Sequence, residues 1–456
     1  MAEQRIEVTI GSETGASTAP RLRRTLTLSD LLLYGIVIVS PVAPMSIFGV
    51  LSERGRGHVV TAILIAMVAM LLTGLSYGRM ARAYPSAGSA YTYVAREIHP
   101  SLGYITGWGM LMDYMLLPVI CTIWCAEQTH EFVPGIPVFA WKIFYVAVFT
   151  WLNVQSIRAS ARINAGLATG MGVVVVIVFV AAAHYVVSHS HIETGFFTRP
   201  FYDPATFSYG ALFGCTSIAV LTYTGFDGIS TLSEEAENPR RNILLATVLT
   251  CLVIGILSAA EVYVAQLVWP ATERFPDVDT AYVWVAARTW GPLFTVVGFT
   301  LMLGMFASGM TAHLGAARLL YGMGRSNALP RRFFGAIDPK HCIPRNNVLL
   351  IGALVLIGAF ALNFALGAEM VNFGALVAFM GVNAAAFLHY FVRQSEKKVW
   401  NFILPLLGFL ISLTLWWTLS GPAKVLGSLW MLVGIALGLW VTRGLRTTLS
   451  FDVPDE

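Results

Sequence analysis

Twelve apolar runs of about 20 residues, the length that crosses a hydrocarbon core of about 30 Å, follow one another along the chain, and two of them are interrupted at mid-membrane depth. The runs lie near residues 28–51, 59–81, 102–126, 138–155, 165–188, 208–233, 243–268, 291–320, 347–367, 371–391, 400–419 and 423–442. The sixth passes into TYTGFDGISTLSEEAENPRRN, Thr222 to Asn242, which places Gly225, Asp227 and Gly228 where lipid is thickest and Glu234 and Glu235 just beyond. Glycine weakens helix preference, and Asp followed by Gly favours a local turn. In hydrocarbon a broken backbone survives only where protein or a watery cavity satisfies the freed amides and carbonyls. The run is therefore expected to form a discontinuous helix lining a binding cavity. The first run, LLLYGIVIVSPVAPMSIFGVLS, carries Ser40, Pro41, Pro44 and Ser46. Two prolines three apart do not both fit an unbroken ladder, because each lacks an amide donor and obstructs the preceding turn. The two breaks are five runs apart, the spacing of two inverted five-helix repeats with a site between them.

The chain has 456 residues, 56% hydrophobic and 12% charged, against roughly a quarter charged in a soluble domain. The expected class is an all-α polytopic membrane protein with twelve spans. A formal charge of +4 gives no nucleic-acid signal. With the N-terminus inside, the inner segments hold 21 of the 29 Lys and Arg, the outer ones seven, and Arg318 lies within a run. That bias places both termini in the cytoplasm. The expected organisation is a cytoplasmic tail over 1–26, a ten-helix repeat core over 27–395, helices 11 and 12 over 396–443, and a second cytoplasmic tail over 444–456. Of the five cysteines, Cys121 and Cys125 share a helix face, but no partner spacing for a metal accompanies them, and buried packing is expected.

Ionisable residues inside the runs are costly and need partners. Asp113 lies twelve residues into the third run, or roughly 18 Å deep at 1.5 Å per residue. It reads as a counter-charge for a cation, a proton carrier, or an acid bonded between helices, with Tyr114 beside it pointing elsewhere. Asp227 reads as a cap on the second half of the broken sixth helix or as a ligand or gate contact. Glu234 and Glu235 fall near that half-helix's C-terminus, where the backbone dipole disfavours acids; a cytoplasmic gate ion pair with Arg240, Arg241 or Arg318 is expected, with direct ligand contact as the alternative. Glu261, near the outer end of the seventh run, is expected at a solvated rim. In the eighth run Ser308 and Thr311 serve a cation or hydrogen-bond between helices, and His313 is expected to pack. Tyr91 and Tyr93, in YPSAGSAYTYVAREIHP, either line an inner vestibule or belong to a plain connecting helix.

No phosphate-binding loop, HExxH or GxSxG occurs, so ATP-driven pumping and familiar hydrolase chemistry lack their machinery. The stretches GFDGISTLSEEAENPRRN (225–242), YPSAGSAYTY (84–93) and ARLLYGMGRSNALP (317–330) resemble signatures of the amino acid, polyamine and organocation transporter superfamily. Within it, GRGHVV (55–60), HPSLGYITGW (99–108), GWGMLMDYMLLP (107–118) and VNFGALVAF (371–379) are similar to the bacterial putrescine importers. The resemblance implies the leucine-transporter fold, with substrate between unwound spans 1 and 6 and contacts from span 3. Carried to this chain, it implies substrate contacts from Ser40, Ala43, Ser46, Asp113, Tyr114, Thr224, Gly225, Phe226 and Asp227, with Glu234 and Glu235 in the acidic stretch. It also implies proton-coupled uptake across a bacterial inner membrane. Two departures matter. Those importers carry an Asp in the first break, within a run like TVFDTFG, where this chain has APMSIFG with Ser46 at that place. The fifth run also lacks the Lys that some proton-coupled relatives use. Monoamines and amino acids thus stay open beside putrescine.

The sequence reading is a secondary transporter, not an enzyme, without metal or cofactor. Its expected partners are a small cationic amine or amino acid, protons and the lipid bilayer, with a homodimer through helices 11 and 12 also in view. An amino acid permease or exchanger, and a sensor that binds ligand without moving it, are the alternatives.

Overall fold

The computed structural model describes residues 26–84, 89–155, 161–189, 195–233, 236–325, 329–338, 343–394 and 397–441. Sixteen α-helices run through them: α1 Leu28–Val39, α2 Ala43–Gly55, α3 Val59–Ala83, α4 Ser89–Glu97, α5 Pro100–Phe132, α6 Val138–Val154, α7 Ala161–His189, α8 Tyr209–Ala219, α9 Pro239–Val268, α10 Ala281–Thr289, α11 Leu293–Arg325, α12 Arg331–Phe334, α13 Arg345–Ala361, α14 Phe364–Phe387, α15 Val399–Thr418 and α16 Gly421–Val441. Extended pairing among the described residues is limited to the isolated bridges Leu26 to Ala236 and Asp338 to Ile343.

Nine of the described helices are long and apolar enough to cross a membrane. α1 and α2 pass the same test together, bent by 44° at their junction, and α6 and α13 are shorter apolar helices. This is a multi-pass membrane protein. After each broken segment the helix lengths run in the same order. From α3 to α7 they are 25, 9, 33, 17 and 29 residues. In α9, α10, α11, α13 and α14 they are 30, 9, 33, 17 and 24.

With no hydrophobic effect to separate helix from lipid, packing relies on small residues and interhelical polar contacts. Gly78 of α3 lies so close to Leu244 of α9 that a Cβ there would stand 2.6 Å from the Leu244 Cα. Trp108 of α5 stacks on Trp430 of α16 with ring centroids 4.9 Å apart, and each indole nitrogen donates to the other residue's backbone carbonyl, at 2.8 and 3.1 Å. α15 and α16 turn Trp400, Trp417 and Trp440 outward.

Asn383 of α14 is a buried junction. Its carbonyl accepts from Ser76 at 2.7 Å, its amide donates to Thr73 at 3.1 Å and to the Phe379 carbonyl at 2.9 Å, and Gly408 of α15 packs against it. Replacing it with Leu leaves the hydroxyls of Ser76 and Thr73 short of partners, at a cost of roughly 1–3 kcal/mol. Asn383→Leu is expected to lower the thermal midpoint of the detergent-purified protein; an unchanged midpoint would show the junction to be energetically neutral.

Candidate functional site

At the first break α1 ends at Val39, and Ser40 adopts φ 69°, in the left-handed region. Its amide closes back on Ile36 at 3.1 Å, leaving carbonyls near the end of α1 without helical partners. Pro41 sits in the gap and Pro44 in the first turn of α2, where a missing amide costs nothing. At the second break α8 tightens into a 3₁₀ turn, Val220–Tyr223, reverses at Gly225 with φ 109°, and continues as 3₁₀ over Phe226–Leu232. Only glycine takes that φ without strain. The second half-helix expected from the sequence is thus a short 3₁₀ segment. The two breaks face each other: a Cβ at Gly225 would stand 3.4 Å from the Ile38 carbonyl.

Between them lies a cavity of about 90 Å³, walled by both breaks, α5 and α11. Ser40, Ala43, Ser46 and Thr224 line it as the sequence suggests. Sequence reasoning missed Leu117 and Cys121 of α5, and Gly304 and Met305 of α11; Ser308 is the α11 polar liner. The missed α5 residues were legible in principle, since Leu117 is one turn beyond Asp113 and Cys121 one turn beyond that. No lining side chain is charged. Ser46 donates its hydroxyl to the Ala43 carbonyl at 2.8 Å, within the break itself. Thr224 is different: its buried hydroxyl has no protein partner.

The other candidate residues surround the cavity without lining it. Phe226 is fully buried, its ring edge-on to Tyr77 at 5.6 Å and tilted on Phe379 at 5.3 Å, so it anchors the break in the core. Gly225 shapes the turn. Asp227 lies beside the backbone amides of Gly225, Asp227 and Gly228, at the break it belongs to. Asp113 lies within electrostatic range of Asp227, and Tyr114 within range of both and of Tyr34. Tyr114 rests on Gly315 of α11, 3.2 Å from where a Cβ would stand. Ile38 and Tyr34 on α1, Tyr114 on α5, and Thr311 and Arg318 on α11 are exposed. Glu234 and Glu235 lie outside the described residues.

One further expectation needs correction, and two of the alternatives left open fall. Glu261 is not at a solvated rim: it is fully buried in α9, and neither carboxylate oxygen has a hydrogen-bond partner. Depth along a helix does not fix exposure, and α10 folds over that end of α9. Tyr93 does not line a vestibule; it is buried against Tyr77 at 6.2 Å. Thr311 bonds its own helix, at the Ala307 carbonyl, so it joins no two helices. His313 packs as expected, fully buried with Nε2 2.9 Å from the Val348 carbonyl. Cys121 and Cys125 are buried beside Met305 and Met302, and the described residues contain no cluster of His, Cys, Asp and Glu able to hold a metal.

At the opposite end of the cavity Arg54, in the last turn of α2, pairs with buried Glu369 of α14 at 2.8 Å, and the Ser420 amide donates to the same carboxylate at 2.7 Å. The loop before α10 closes this side, Trp124 donating to the Asp279 carbonyl at 2.8 Å. Asp279 lies in the field of Asp277, Glu127, Lys142 and Glu53. Burial, reinforced by Asp277 and Glu127, pushes its carboxyl up to about 7.

Comparison with known proteins matches residues 26–448 to the family described as amino acid permease. The chain is 35% identical over 433 residues to the low-affinity putrescine importer PlaP of Escherichia coli, covering 93% of this chain and 95% of that one. It is 26% identical over 443 residues to the branched-chain amino acid permease BcaP of Lactococcus lactis, covering 91% and 93%. It is 25% identical over 386 residues to the vacuolar cationic amino acid transporter 4 of Arabidopsis thaliana, covering 79% and 62%. These relatives are transporters, and so is this protein: the chain belongs to the amino acid permease family.

Proposed function

We propose that the protein is a proton-coupled importer of a small cationic amine, with putrescine as the reference substrate, in a bacterial inner membrane and with both termini in the cytoplasm. The observation that carries this reading is the charge pattern around the cavity. An uncharged chamber lies at two helix breaks, with Asp113 and Asp227 toward one side and the acids around Asp279 on the other. Clefts lined by one sign of charge concentrate ligands of the other. The outer acids gather the cation, and Asp113 and Asp227, beside the chamber, attract its ammonium group. The break carbonyls and the free Thr224 hydroxyl orient it, and Leu117 and Leu221 cover its methylenes. Ser46 supplies no counter-charge. The 35% identity to a putrescine importer supports the amine assignment.

The topology goes with this function. Nine long helices and the bent α1–α2 pair are long enough to span, and counting the shorter apolar α6 and α13 with them gives the proposed twelve. The matching helix lengths after each break support two five-helix repeats, with α15 and α16 added against lipid or a second copy. The Lys and Arg bias supports the orientation. Glu234, Glu235 and Arg318 then belong to the cytoplasmic gate, and the Arg54–Glu369 pair ties the outer half of the broken first span to α14. A second reading, exchange of neutral amino acids, is favoured by the uncharged lining.

Uptake of labelled putrescine into proteoliposomes decides between them. Accumulation driven by an inward proton gradient and competed by diamines is expected; gradient-independent exchange of an amino acid, with no putrescine flux, would replace the amine reading. Asp113→Asn is expected to abolish putrescine uptake while folded protein is retained, and unchanged transport would remove Asp113 from the site. Thr224→Val should raise KM about tenfold, roughly the 1.4 kcal/mol of one hydrogen bond. Asp279 carries its negative charge above about pH 7, so steering by the outer acids strengthens as external pH rises through that value. Asp277→Asn with Asp279→Asn should slow cation counterflow, measured without a pH gradient, severalfold at low ionic strength and little at high salt; equal rates at both would rule out the outer acids as a steering field.

A further inference from the structure

One buried acid takes no part in the cavity or in the carboxylates beside it. Glu261 lies about two turns before the end of α9, is fully buried, and has both carboxylate oxygens without hydrogen-bond partners. Ser258, three residues earlier on the same helix face, is likewise buried with an unpartnered hydroxyl. Its titratable neighbour is Tyr282 of α10, whose hydroxyl donates to the Glu261 backbone carbonyl at 3.3 Å. Among the described residues, α1, α2, α3, α7 and the two 3₁₀ segments of the second break, which also pack on α9, bring no charged side chain into its field; Asp227, on the second of those segments, lies near Cys251 of α9 instead. An ionised carboxylate with no water, cation or donor is strongly unfavourable, and a proton removes that cost. The protonated acid gains a donor, and Ser258 is placed one turn back to accept from it.

The cover over Glu261 is made by elements that reach the cavity. Tyr282 meets Phe48 of α2 edge-on at 5.6 Å, and Phe48 follows Ile47, which lines the cavity. The loop before α10 rests on Gly49 of α2, where Val278 leaves no room for a side chain. Through these contacts α2, the second half of the broken first span, is packed onto the residues that cover Glu261.

We propose that Glu261, with Ser258, is a proton-binding site whose occupancy is tied to the position of α2. The carboxyl takes a proton from the outer phase when α2 moves away and holds it while α2 and α10 pack as in this structure. The step is a proton transfer from water, with no covalent change. The inference rests on the proton-coupled reading above and names the residue that would couple.

The test uses the full chain in proteoliposomes with labelled putrescine, and infrared spectroscopy of the same preparations. Glu261→Gln keeps the shape of the protonated acid. It is expected to retain counterflow without a gradient, to lose accumulation driven by a pH gradient down to the no-gradient control, and to lack a carbonyl band of a protonated carboxylic acid that the parent protein shows. Glu261→Asp should regain part of both and serves if the Gln variant does not fold. Gradient-driven accumulation equal to the parent's, or an unchanged infrared band, would overturn the proposal. If the parent protein itself ignores the pH gradient, the proton-coupled reading fails, and the infrared band still decides whether Glu261 carries a proton.

Discussion

Everything near the cavity depends on how backbone amides and carbonyls are satisfied where two helices stop at membrane depth. A helix end buried in hydrocarbon leaves several polar groups without helical partners, and such groups are tolerated only against protein or water. The chain meets this by setting the breaks against each other, Gly225 approaching the Ile38 carbonyl. Nearby side chains take up part of the remainder: Ser46 caps the Ala43 carbonyl, and Ser230 donates to the Asp227 carbonyl at 2.7 Å. What stays without a partner among these side chains is the Thr224 hydroxyl, on a residue that lines the cavity. Pro41, Pro44 and Gly225 make the breaks obligatory, and Phe226, locked between Tyr77 and Phe379, fixes where the second one sits.

Buried charge follows a second rule, that an ion away from water needs a counter-ion and donors. Glu369 has Arg54 and the Ser420 amide. Glu97 of α4 has His389 at 2.6 Å and Arg393 at 3.0 Å, both in the π-helical turn Leu388–Arg393 that ends the α14 segment, and it also accepts from Tyr84. These two clusters tie α14 to α2 on one side and to α4 on the other. Against that pattern Glu261 stands out as a buried carboxylate with no such partners, which is why it draws a mechanistic reading and the paired acids draw a structural one.

Much of the fold was legible in the chain. Run lengths gave the helices to within several residues, because burial in lipid demands continuous apolar sequence. The breaks were legible because Pro lacks an amide and Asp-Gly favours a turn, and both signals are local. The site was legible only in part. Ser40, Ala43, Ser46 and Thr224 followed from the breaks read together with the family resemblance, but Leu117, Cys121, Gly304 and Met305 are ordinary helix residues whose place at the cavity comes from where α5 and α11 dock. Glu261 was misjudged for the same reason, since its distance from the helix end said nothing of α10 folding over it.

By itself, then, the sequence determined that this is a multi-pass helical membrane protein of the permease kind, broken at two points, since hydrophobic length and backbone donor chemistry are properties of short segments. Only the tertiary structure decided that the cavity is uncharged, that Asp113 and Asp227 lie beside it without lining it, and that Glu261 is sealed under α10. Burial and electrostatic neighbourhood depend on which helices pack together, and no local run of residues encodes that.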